Sequence, residues 1–158
     1  MNRIHKCFAP LLLAALLTPA LSQAKGLPDD QAIFETLSRY EAALNAADTA
    51  SIIDLYTKQG IQMAPDAPVV VGRDAVEAAY SGTFKAVSLN LHFTVDEVKM
   101  LSKTSALLRS HSAGTLKVNG SDQPPGAAAF KELFILDKQT DGKWKFSHYS
   151  FSATPVRQ

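Results

Sequence analysis

The chain has 158 residues, 46% of them hydrophobic and 20% charged, with a formal net charge of +1. One domain fits that length, and the apolar content excludes a disordered or fibrous chain. The near-zero charge speaks against a general nucleic-acid binder, which carries a basic stripe.

Residues 1–24 have the pattern of an export signal. Arg3, His5 and Lys6 precede an apolar run from Phe8 to Leu17, and Ser22 and Ala24 are small residues at the −3 and −1 positions of a cleavage site. The run is too short to cross a membrane core, which takes roughly 20 apolar residues. A periplasmic or secreted location is the expectation, with no membrane attachment after cleavage. Cleavage after Ala24 removes Arg3 and Lys6 and no acid, so the 16 basic residues fall to 14 against 15 acidic ones. It also removes Cys7, the one cysteine. Residues 25–158 then form a single domain held by its core, with no disulfide, thiolate nucleophile or cysteine metal site.

Pro28-Asp29-Asp30 predicts a helix start, because Asp accepts from free N–H groups and suits the positive helix end. Ile33, Leu37, Tyr40 and Leu44 recur at helical spacing, which turns Tyr40 inward. Asn45-Ala46-Ala47-Asp48 ends this helix and caps a second one bearing Ile52, Leu55 and Tyr56. A short strand is expected over Gln59–Ala64, a turn over Pro65–Pro68, and an extended stretch over Val69–Val71. Gly72 opens a third helix that carries Val76, Tyr80 and Phe84 on one face.

The period then changes to two. Leu89, Leu91, Phe93 and Val95 alternate with polar residues, as in a strand with one buried face. Further strands are expected over Ser105–Val118, Ala127–Asp137 and Lys143–Ala153, separated by turn-rich segments. Three helices followed by a four-strand meander make an α+β domain. The expected architecture is a cone: a strongly curved antiparallel sheet with three N-terminal helices enclosing a cavity.

The stretch Arg39-Tyr40-Glu41-Ala42-Ala43-Leu44-Asn45-Ala46-Ala47-Asp48, then Leu55-Tyr56, Val71-Gly72-Arg73-Asp74-Ala75 and Ala79-Tyr80, resembles the nuclear transport factor 2-like superfamily, in its SnoaL-like and ketosteroid-isomerase-like branch. The ending Asp141-Gly142-Lys143-Trp144, with His148 and Ser152, is similar to that of secreted relatives. The resemblance implies a ligand cavity and a homodimer formed through the outer sheet face. It also implies that Tyr40 matches an oxyanion-donating tyrosine, supported by Tyr56 and Tyr80. The position of the isomerase base, a carboxylate before a proline, falls on Ala64 before Pro65. That methyl group speaks against ketosteroid isomerase activity, although Asp66 lies two residues on.

If Val118 opposes Ala127, His111 faces Phe134, and Glu132 is its diagonal neighbour on the face that also carries Arg109. His111 then suits a general acid or base, Glu132 its orienter, and Tyr40 with Arg109 the oxyanion donors. Phe134, Tyr56, Tyr80, His148, Tyr149 and Asp66 complete the candidate ligand contacts. A bulge decides which parity of the last strand, His148 or Tyr149, faces inward. His92, His111 and His148 lack short ligand spacing, so no metal is expected, and no cofactor either. Two functions stand at this point. One is a domain that binds a small, partly apolar molecule, with or without acid–base turnover of the isomerase, dehydratase or hydrolase type. The other is a non-catalytic binding or assembly module.

Overall fold

A computed structural model describes residues 28–156. The expected export signal lies outside the described residues. Helix α1 (Asp29–Asn45) buries Ile33, Leu37, Tyr40 and Leu44 along one stripe, as the spacing requires. Its start differs from expectation. Pro28 takes the cap position without a side-chain bond, and Asp29 instead accepts from Lys138 Nζ and, at 3.2 Å, from Trp144 Nε1. The helix start is thereby tied to the end of the sheet. Asp48 does cap α2 (Thr49–Asp54), accepting from the Ser51 backbone N–H at 3.0 Å. This helix stops short of the expected Tyr56: Leu55 is its C-terminal cap, and Tyr56 already begins the first strand. Gly72 precedes α3 (Arg73–Ala86) at φ 87°, a conformation that suits a residue lacking Cβ.

Six strands form one curved sheet: β1 (Tyr56–Met63), β2 (Val70–Val71), β3 (Val87–Met100), β4 (Ser105–Val118), β5 (Gly126–Lys138) and β6 (Trp144–Ala153). Their spatial order is β2-β1-β6-β5-β4-β3, so the expected four-strand meander is present. The sheet is mixed, not wholly antiparallel, because β1 runs parallel to β6. The long return through α3 and the meander allows this pairing, which a hairpin could not make.

The register of β4 on β5 also differs from expectation. Ser110 opposes Glu132, and His111 opposes Lys131 in place of Phe134. This odd-numbered slide exchanges faces. Glu132 shares the concave face with Ser110 and Ser112, whereas Arg109 and His111 share the outer face with Leu133 and Lys131.

The core fills the space between α1 and the concave face. Tyr40 is 1% exposed and meets Phe93, Phe134, Phe146 and Tyr149 edge-on, with ring centroids 5.6–5.9 Å apart. Strand β3 is the long edge of the sheet, and α1 covers part of it. Asn45 donates to Leu91 O at 2.7 Å and accepts from Leu91 N at 2.8 Å, in the manner of a neighbouring strand. One turn earlier, Glu41 accepts from Phe93 N at 2.8 Å. These two side chains satisfy backbone groups that would otherwise pair with another chain.

Candidate functional site

The concave face is not packed solid. A cavity of about 180 Å³ opens between the C-terminal end of α3, the start of β3 and the inner faces of β4, β5 and β6. Its wall is largely apolar: Leu44, Leu89, Leu91, Phe93, Phe130 and Phe151 contribute most of it. Into this wall project a few polar groups, namely the Tyr40 and Tyr149 phenols, Gln62, Thr83, Ser112 and the Glu132 carboxyl.

Glu132 is 3% exposed. Ser112 Oγ donates to its Oε1 at 2.6 Å, and Ser110 Oγ to its Oε2 at 2.7 Å. Burial pushes the carboxyl above its ordinary value, against the pull of the Ser112 and Ser110 hydroxyls and of the His111 charge. A carboxyl of this kind can hold or exchange a proton nearer neutrality than an exposed one. The strand pattern explains the placement. Ala106 and Leu108 begin the inward row of β4, and the same parity continues into Ser110 and Ser112.

Behind the cavity lies a hydroxyl relay. Tyr80 is central, with its OH 2.9 Å from that of Tyr40 and 3.0 Å from that of Tyr56. Burial raises the Tyr40, Tyr56 and Tyr149 phenols well above their ordinary value, and lifts Tyr80 to about 12. All four tyrosines of the chain therefore stay neutral donors at physiological pH. Tyr149 stacks on Phe134 with centroids 4.2 Å apart and planes 1° from parallel. Tyr40 and Tyr149 reach the cavity; Tyr56, Tyr80 and Phe134 support them from behind.

The remaining sequence candidates lie elsewhere. The His111 ring and Arg109 guanidinium are about half exposed on the outer face. His111 Nδ1 is 2.8 Å from Asp96 Oδ1, and Arg109 pairs with Asp96 at 3.1 Å and Glu97 at 3.4 Å. The register slide explains the separation of His111 from Glu132, and an irregularity between Val95 and Glu97 accompanies the placing of Asp96 on the same outer face. On β6, a bulge falls between Phe146 and His148. It lets Phe146 and Tyr149 both face inward and leaves His148 exposed, 3.3 Å from Ser147 Oγ. Asp66 sits at φ 56° in the exposed turn after β1, away from the cavity wall.

Ser110, Ser112, Gln62 and Phe130 are site residues that sequence reasoning missed. The signal for the serines was present: two hydroxyls two residues apart, continuing an inward apolar row, point at a polar partner on the facing strand. Among the described residues no group of three or more His, Cys, Asp or Glu side chains could hold a metal ion, and no helix is long and apolar enough to cross a membrane.

Comparison with known proteins agrees with this architecture. A ketosteroid isomerase-like protein from Erwinia carotovora atroseptica is similar at 30% identity and a TM-score of 0.75, with 80% of this chain and 96% of that one covered. A candidate scytalone dehydratase from Novosphingobium aromaticivorans shares the fold at 19% identity and a TM-score of 0.70, with 80% and 84% covered. An NTF-2-like protein of unknown function from Shewanella oneidensis does so at 23% identity and a TM-score of 0.60, with 78% and 98% covered. No curated protein matches the chain. The SnoaL-like domain model matches residues 26–150. The chain belongs to the SnoaL-like domain family.

Proposed function

We propose that this protein binds a small, partly apolar molecule in the cone cavity, with Glu132 as its polar anchor. One observation carries the reading: a buried carboxyl, gripped by two serine hydroxyls, faces an apolar cavity flanked by neutral phenols. The cavity volume suits a one-ring body, because a dry cavity of about 150 Å³ admits benzene. The test is a thermal-shift screen of one-ring compounds against the wild type and Leu89→Phe, which fills the cavity. Compounds that raise the wild-type Tm and leave the variant unmoved support the reading. Shifts that persist in the variant refute it.

A second reading, acid–base turnover, is favoured by the position of the phenols. Glu132 would take and return a carbon-bound proton while Tyr40 and Tyr149 hold the adjacent oxygen. Its assay is solvent exchange of the α-deuterium of a small cyclic ketone, which Glu132→Gln should abolish. An unchanged exchange rate in that variant removes Glu132 from the chemistry.

We further propose that the protein is exported and cleaved after Ala24, supported by the sequence of residues 1–24 alone. N-terminal sequencing of protein from the periplasmic fraction checks this, and a retained Met1 would refute it. A homodimer through the outer sheet face is proposed on the resemblance and on the 42% exposure of Leu133 there. Sedimentation of the wild type and Leu133→Lys tests it: a monomer in both excludes this interface.

A further inference from the structure

The cavity contains charge of one sign only. Glu132 is its acid, and no Lys, Arg or His side chain lines it. The basic groups nearest in the sheet, Arg109, His111 and Lys131, belong to the outer face, and the first two are engaged by Asp96 and Glu97. Both carboxyl oxygens accept from serine hydroxyls, an arrangement that favours the anion. The rest of the wall is rich in aromatic rings: Tyr40, Phe93, Phe130, Tyr149 and Phe151. Two of them, Tyr149 and Phe151, stack at 5.2 Å beside the carboxyl, and Phe151 opposes Glu132 directly across β5 and β6. Aromatic faces carry negative potential and attract a cation, most strongly where water is excluded.

We propose that the cavity takes a small organic cation, a protonated amine on a compact one-ring body, with the ammonium on Glu132 and the ring among Phe93, Phe130 and Phe151. This rests on the reading of the cavity as a small-molecule site and adds the charge of the ligand. An anionic ligand would set two like charges together in an apolar enclosure. A neutral ligand of the same shape would gain the packing and forgo the ion pair. The amine also fixes a proton balance. Burial favours the uncharged carboxyl, and an arriving ammonium favours the charged one. Binding therefore expels the Glu132 proton wherever the free carboxyl still holds it.

Calorimetry with benzylamine and benzyl alcohol tests the idea, since the two probes match in size and differ in charge. The wild type is expected to bind benzylamine at least about tenfold more tightly, the equivalent of one charge-assisted hydrogen bond. Glu132→Gln should bring the two affinities together. Phe151→Leu should weaken benzylamine more than benzyl alcohol. A further readout needs no variant: in two buffers of different ionisation enthalpy, the wild type should release a proton on taking benzylamine below neutrality and none on taking benzyl alcohol. Equal affinities without proton release would overturn the cation assignment and leave the small-molecule site standing. Failure of both probes to bind, or to compete with any compound that stabilises the protein, would overturn the two together.

Discussion

Glu132 sits in an apolar wall, and its titration gives the molecule a pH signature. Its folded pKa is raised from the ordinary value of 4.5. Below that value both folded and unfolded chains hold the proton, so the contribution to stability is fully present. As pH rises toward the folded pKa the unfolded chain ionises more readily, and the contribution is lost. The Tm of Glu132→Gln should therefore gain on that of the wild type between pH 4.5 and pH 7. Asp29 and Asp141 behave oppositely: hydrogen bonds lower their pKa values, so their contribution is lost only as pH falls below the ordinary range. Subtracting the variant curve from the wild-type curve isolates Glu132, and a flat difference over that range would contradict its burial. The tyrosine relay makes a separate prediction. Tyr80→Phe removes the hydroxyl shared by Tyr40 and Tyr56 and leaves two buried groups short of a partner. Urea unfolding should show a loss of about 1–3 kcal/mol, with Tyr56→Phe costing less because it orphans only one contact.

At the scale of elements, the two ends of the sheet are treated differently. Strand β2 has only two residues, too short to recruit a neighbour. Strand β3 has fourteen, and α1 guards it through Asn45 and Glu41. Asn45→Ala should cost about 1–2 kcal/mol in urea unfolding and accelerate hydrogen exchange at the Leu91 amide. Unaltered exchange there would show that the edge needs no cover. Where β3 crosses β4 the backbones approach closely. A Cβ on Gly114 would lie 1.9 Å from the Asn90 carbonyl oxygen, so the contact can be relieved only by parting the strands. Gly114→Ala should lower the Tm more than Gly126→Ala, whose added methyl meets nothing within 4 Å.

The molecule as a whole keeps a hollow where a tighter core would be more stable. One buried polar cluster, Glu132 with Ser110 and Ser112, holds its place in that hollow at a desolvation cost. Removing the carboxyl alone strands two serine hydroxyls, whereas replacing all three groups removes the cost entirely. The triple variant Ser110→Ala, Ser112→Ala, Glu132→Leu should thus match or exceed the wild type in stability by up to about 3 kcal/mol. It should also lose ligand binding. A triple variant that unfolds more easily than the wild type would mean that the cluster serves the fold and not a ligand.

The sequence by itself determined most of the elements, the exception being Tyr56, whose spacing put it on the second helix and which begins β1. Helical spacing marked α1 and α3, a period of two marked the long strands, and turn residues marked the breaks between them, because these signals arise from neighbours along the chain. It also determined that Tyr40 turns inward, since one helical stripe carries it with Ile33, Leu37 and Leu44. Which residues meet across strands was decided only by tertiary structure. The slide of β4 on β5 sent Arg109 and His111 outside and seated Glu132 beside two serines, and the bulge in β6 brought Phe146 and Tyr149 to one face. A shift of one residue in register leaves local propensity and composition untouched and reverses every side chain. Packing of the sheet against α1 selects one register, so the serine partners of Glu132 and the exclusion of Arg109 and His111 from the cavity were legible in the fold and not in the pattern of residues.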